Sequence, residues 1–146
     1  MDYRKFNDTY YIRLDRGDEL VACILDVCTR EGVRSATFSG IGGCSDAQIQ
    51  VFNAEAGSFE TEHTEGLLEL VSIMGNVISD PEGSLSCHAH ALFSYREDGQ
   101  PRIAAGHLKS TTVRYTAELE LRPVVGGAIS KKLDPETNTY FWHFDD

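Results

Sequence analysis

The chain is short of the features that mark several common functions. Lys and Arg total 13 against 23 Asp and Glu, a formal net charge of −10. An acidic body repels polyphosphate, which argues against non-specific nucleic-acid binding. The Arg-Gly-Arg core of a minor-groove AT-hook is missing. The four cysteines, Cys23, Cys28, Cys44 and Cys87, make no Cys-x-x-Cys pair. They read as small apolar residues with reduced thiols, and a cytoplasmic location is expected. No run is long and apolar enough for a membrane span, and Met1-Asp2-Tyr3-Arg4-Lys5 leads into no stretch of signal-peptide length. Low-complexity segments and internal repeats are absent too. With 146 residues and ordinary apolar content, a single folded domain over 1–146 is expected.

One glycine cluster needs weighing against nucleotide binding. Gly40-Ile41-Gly42-Gly43 follows a strand-like run, as phosphate loops do. However, Ser45 stands where a dinucleotide fingerprint needs its third glycine, and no Gly-Lys-Ser/Thr follows. The next residues, Ala47 to Phe52, alternate like a strand instead of opening a helix. The glycines therefore read as a tight turn or a close backbone approach, including one between subunits.

What is present is a histidine pattern that reads either as a metal site or as three ordinary histidines on a solvated sheet face. The stretch Cys87-His88-Ala89-His90-Ala91-Leu92-Phe93-Ser94-Tyr95 runs to Asp98-Gly99, then returns through Arg102 to Gly106-His107-Leu108. Asp-Gly is a two-residue hairpin signal because such turns need positive φ. Centring the turn there pairs Tyr95 with Arg102, Phe93 with Ala104, and His90 with His107. Opposed residues share a face with Cβ atoms about 5 Å apart. His88, two residues from His90, joins that face at about 7 Å. Three imidazoles then converge with room for a water or fourth ligand, a donor set suited to zinc. The other face of the first strand, Cys87, Ala89, Ala91, Phe93 and Tyr95, is apolar and expected inside.

The remaining pattern is mostly strand. Thr9–Leu14 alternates, and Asp15-Arg16-Gly17-Asp18 is a turn with Asp18 as expected N-cap. Leu20, Cys23, Ile24, Val27 and Cys28 follow at helical spacing, with Gly32 in the C′ position. Val33–Ser39 is a strand with Ala36 and Phe38 inward. Residues 53–65 read as a polar loop holding a short strand at 58–63, with His63 on the surface. Leu67–Met74 is an apolar strand with Glu69 embedded, which reads as a residue on an exposed face or, as the alternative, a functional acid. Gly75-Asn76 permits a bulge or bend, and Asp80-Pro81-Glu82-Gly83 makes the next turn. Thr111–Leu121 alternates, with Val113, Tyr115, Ala117, Leu119 and Leu121 on the buried side. Lys131-Lys132 reads as solvated loop surface. Asp134 to Asn138 is a turn before the aromatic strand Thr139–Phe144, which needs a cover from the core or another chain. The sum is an α+β fold, a largely antiparallel sheet of about seven strands with one main helix.

In this order the motifs resemble the PPC domain proteins, also called the DUF296 or PD1-like family. The carriers are Ile12-Arg13-Leu14-Asp15-Arg16-Gly17-Asp18-Glu19, Ser39-Gly40-Ile41-Gly42-Gly43, Leu68 through Asn76, His88-Ala89-His90, Gly106-His107-Leu108 and Asp134-Pro135-Glu136-Thr137. The resemblance spans roughly residues 3–144. It implies an α+β homotrimer, with histidine-zinc acetolactate decarboxylases as distant structural relatives. Many members are labelled predicted DNA-binding proteins, after plant relatives that add AT-hooks. This chain lacks the hook and keeps the histidines of the bacterial and archaeal members. Ala105 replaces a usual second glycine before Gly106-His107, a change expected to tighten the loop without abolishing the site.

These readings give a stand-alone trimeric module, regulatory or partner-binding, with His88, His90 and His107 on a divalent metal, expected to be zinc. Gly40, Gly42, Gly43 and Gly106 are the expected trimer or close-approach glycines. A zinc enzyme acting on a small carbonyl-type substrate, with Glu69 as acid, is the alternative from the same residues. Direct DNA binding, as the family label suggests, is the third reading.

Overall fold

The computed structural model describes residues 1–80 and 82–144. Pro81, at the expected turn after Asp80, lies outside the described residues. The strands are β1 (Asp2–Phe6), β2 (Thr9–Asp15), β3 (Ser35–Asn53), β4 (Ser58–Ser79), β5 (Leu85–Glu97), β6 (Gln100–Ser110), β7 (Val113–Pro123), β8 (Ile129–Asp134) and β9 (Thr139–Phe144). The helix, α1, spans Leu20–Arg30 between β2 and β3. A seven-stranded antiparallel sheet runs β1-β2-β7-β3-β4-β5-β6, and β8 pairs with β9 separately. The α+β architecture with one main helix stands as the patterning suggests.

β3 organises the sheet. Its first half pairs with β7, and its second half pairs with β6 through Ile49↔Leu108 and Gln50↔His107. Because β4 and β5 link β3 to β6, this second pairing closes the four strands on themselves and removes an edge. Leu14, Ala36, Phe38, Val77, Ala89, Phe93 and Leu121 project inward, where Leu20, Ile24, Val27 and Cys28 of α1 join them. Each fully buried Leu or Ile contributes about 1.5–3 kcal/mol against exposure.

Several local expectations are corrected. The N-cap is Glu19, whose carboxylate accepts from the Val21 and Ala22 backbone N–H groups. Asp18 instead accepts from the Asp15 N–H, so its side chain is committed to the preceding turn. Gly32, with φ of 65°, does take the C′ position. The glycine cluster makes no turn: β3 continues through it, with register shifts between Gly40 and Gly42 and between Gly42 and Cys44. A Cβ at Gly42 would lie 2.7 Å from the Ala117 Cβ, and one at Gly40 would collide with Leu119. The close approach is between β3 and β7 of one chain.

Residues 53–65 form no loop beyond the tight connection at 54–57; Ser58–Glu65 is the start of β4. The arm it makes with β3 is largely exposed, so it lacks the alternation that marks a buried strand. Cross-strand pairs hold it instead, including Gln50 Nε2 to Thr61 Oγ1 at 2.9 Å and Phe52 against Phe59 at 5.3 Å. Gly75-Asn76 does not bend β4, which pairs continuously with β5 there. Gly75 admits the Phe38 ring, which a Cβ would strike at 2.6 Å. Tyr115 is exposed, because the β3–β7 register shifts between Gly42 and Cys44 and releases it from the buried row. β1, too polar to register as a strand, pairs with β2 as an edge hairpin.

Candidate metal centre

The histidine hairpin has the expected register. Asp98 and Gly99 have φ of 49° and 75°, the two positive values of a type I′ turn. Tyr95 pairs with Arg102, Phe93 with Ala104, and His90 with His107. Ala89, Ala91 and Phe93 are buried, so His88 and His90 stand on the outer face.

The three rings gather there. One ligand atom from each of His88, His90 and His107 lies within 4.8 Å of the others. Nε2 of His88 is 3.0 Å from Nδ1 of His107, and the His90 and His107 ring centroids are 4.2 Å apart. Tetrahedral zinc with Zn–N near 2.0–2.1 Å requires nitrogen pairs about 3.3 Å apart. The closest pair is near that value already. The hydrogen-bonded His88–His107 pair also needs one imidazole with a free lone pair, as a ligand does.

Burial, then the neighbouring His107 and His90, hold the His88 pKa below the ordinary histidine value. His107 is lowered by burial and by His90. Lowered values favour neutral rings, the ligating form.

The surroundings orient the rings. Phe59 meets the His107 ring edge-on at 4.9 Å. Gln50 lies beside His107 across the β3–β6 closure. There Gly106 has φ of 154°, and a Cβ on it would sit 2.7 Å from the Gln50 carbonyl oxygen. Asn76 is the direct cross-strand partner of His88. Its Oδ1 is buried with no hydrogen-bond partner. An imidazole ligating through one nitrogen carries a proton on the other and needs an acceptor for it, a role Asn76 can fill. The donor set and this orphan acceptor fit a divalent metal.

Glu69 is not brought to the site. It pairs with Gly43 and Ser94, four residues along β5 from His90, or roughly 13 Å. Gly43 abuts Tyr115, with a Cβ there 3.3 Å from its ring, and Gly40 and Gly42 serve the β3–β7 contact. His63 is exposed, as expected. Asn76, Phe59 and Lys131 were invisible as site residues in the sequence. Lys131, on β8, donates to Ser86 Oγ at 2.9 Å, beside the histidine row. The only sequence signal among these was the polar Asn76 inside an apolar run.

The sequence model of the Plants and Prokaryotes Conserved (PCC) domain matches residues 1–125. The chain belongs to this family. It is the family that the ordered motifs resemble. Among solved structures, this PCC domain is similar to a plant- and prokaryote-conserved protein of Pyrococcus horikoshii, at 28% identity and TM-score 0.80, covering 99% of this chain and 95% of that one. It is similar to a metal-containing protein of Archaeoglobus fulgidus, at 27% identity and TM-score 0.80, covering 98% and 99%. A third, from Ralstonia eutropha JMP134 and provisionally named as DNA-binding, shares 25% identity at TM-score 0.85, covering 98% and 96%. Comparison with curated proteins gives no match. No helix among the described residues is long and apolar enough to cross a membrane.

Proposed function

We propose that this PCC domain holds a divalent metal ion, zinc, on His88, His90 and His107, and works as a homotrimeric binding module. The convergence of three ligand nitrogens within 4.8 Å carries the reading. The metal-containing relative from Archaeoglobus fulgidus supports it. Zinc suits an all-imidazole set, and a three-ligand site keeps a position open. A bound zinc supplies a Lewis acid and lowers the pKa of its water to about 7. In this site His88 and His107 would give up their mutual hydrogen bond, and Asn76 would take the outward proton of His88.

The enzyme reading needs an acid or base beside the metal, and its candidate Glu69 pairs with Ser94, roughly 13 Å along β5 from His90. A binding role is favoured for that reason. Direct duplex binding is disfavoured by charge, and also by pairing. Arg4, Arg13, Arg30, Arg102 and Arg122 each contact a carboxylate, which leaves them less able to grip phosphates. Support for the trimer is the family and the exposed apolar residues Ile41, Val71, Met74 and Tyr115 on the outer sheet face, which call for a cover.

Elemental analysis tests the metal. Protein stripped with a chelator and reloaded with zinc should retain about one ion per chain after gel filtration, and a His88→Ala/His90→Ala variant almost none. Equal zinc in both would end the proposal.

A further inference from the structure

The surface beside the histidines carries a cation that the metal reading does not use. β8 begins at Ile129, after the residues matched by the family model, and packs against β4. Its Lys131 donates from Nζ to Ser86 Oγ at 2.9 Å. Ser86 in turn donates its hydroxyl proton to the Ile78 carbonyl at 3.1 Å. The hydroxyl is thus engaged on both sides, and it fixes the ammonium. Ser86 lies two residues before His88 on β5, hence on the same face and about 7 Å away.

Lys131 pairs with no carboxylate among the described residues, in a chain where acids outnumber Lys and Arg 23 to 13. An ammonium held by a neutral hydroxyl keeps two protons for an anion. Beside a divalent ion with an open position, it creates a strongly positive spot on an acidic protein.

We propose that the metal centre and Lys131 form a two-point receptor for a small organic dicarboxylate. One carboxylate completes the coordination of the metal, and the second pairs with the Lys131 ammonium. The inference rests on the metal reading of His88, His90 and His107. Two separate cationic points on one face select the ligand class. A monocarboxylate such as acetate satisfies only the metal, whereas two carboxylates separated by a short carbon chain span both points. The charge balance also favours a dianion.

Cobalt-substituted full-length protein gives a test that needs no catalytic assay. Its visible absorption reports a change in coordination, and it can be titrated with succinate and with acetate. Wild type should bind succinate about tenfold more tightly than acetate. Lys131→Gln should remove that preference by lowering succinate affinity more than acetate affinity, and Lys131→Arg should restore it. A wild-type protein that does not discriminate overturns the inference, as does undiminished succinate affinity in Lys131→Gln. Should Lys131→Gln prove unfolded by circular dichroism, the wild-type preference and its behaviour in Lys131→Arg decide. Failure of cobalt to bind would instead remove the metal reading and this inference with it. Cobalt binding without a succinate preference removes the inference alone.

Discussion

At the scale of single residues, the histidines must serve two states. Without metal, His88 and His107 share a hydrogen bond on a partly buried face, which lowers both basicities. The unfolded chain then binds more protons at these rings than the folded one. Their contribution to stability is full above the ordinary value of 6.5 and is lost as pH falls toward the lowered native values. Thermal midpoints of metal-free wild type and a His88→Gln/His107→Gln variant, compared from about pH 8 to about pH 5, check the sign. Wild type should lose more on acidification, and a parallel decline would show that the rings titrate normally. Cys87, next in the chain to His88, plays no part: burial raises its thiol to about 12, and strand alternation turns it from the histidine face. Asn76 belongs to this scale too. Its role rests on a buried acceptor with nothing to accept from, a state that proteins rarely tolerate without cause.

At the scale of elements, the site depends on strand closure. β5 and β6 bring His90 opposite His107 by themselves, but the surroundings of His107 come from β3, where Gln50 pairs with it, and from Phe59 at the start of β4. Gly106 is the contact that lets β6 approach β3. Gly106→Ala should destabilise the metal-free protein by about 1–3 kcal/mol, since its methyl meets backbone at 2.7 Å and side chain at 2.9 Å. Urea denaturation measures that loss, and zinc affinity should fall with it as His107 shifts. Unchanged stability would mean that the closure yields without strain. The arm formed by residues 47–65 shows why element length was hard to read. The apolar alternation in β3 fades before Asn53, yet pairing with β4 continues to Ser58 because backbone bonds and cross-strand side chains maintain it. Similarly, Asp18 has the composition of a cap, but Glu19 does the capping because it also receives the Thr111 N–H at 3.2 Å. That tie to the β6–β7 connection involves a residue 92 positions away.

At the scale of the whole molecule, charge and exposed apolar surface pull in different directions. The net charge of −10 disfavours close self-approach at low salt. The outer face nevertheless exposes Ile41, Val71, Tyr115 and Met74, and the β8–β9 hairpin exposes Tyr140, Phe141, Trp142 and Phe144. A two-stranded hairpin with so much aromatic surface is marginal alone. Light scattering after size exclusion should give a mass near three times 16.2 kDa. The trimer should persist at moderate salt, because burial of apolar area is not screened whereas repulsion is. A stable monomer at micromolar concentration would remove the trimeric part of the proposal.

The amino-acid sequence determined the core of the site by itself, for a local reason. A two-residue turn at Asp98-Gly99 leaves one register, and the two-residue side-chain period then places His88, His90 and His107 together. The helix and the inward rows were legible on the same grounds of period and punctuation. Tertiary structure alone decided what surrounds the histidines. Asn76 stands opposite His88 in the β4–β5 pairing, Phe59 reaches His107 through the second pairing of β3, and Lys131 arrives on a hairpin far along the chain. Glu69 was removed from the site in the same way. Each of these depends on which distant strands pair, and no local periodicity encodes that choice.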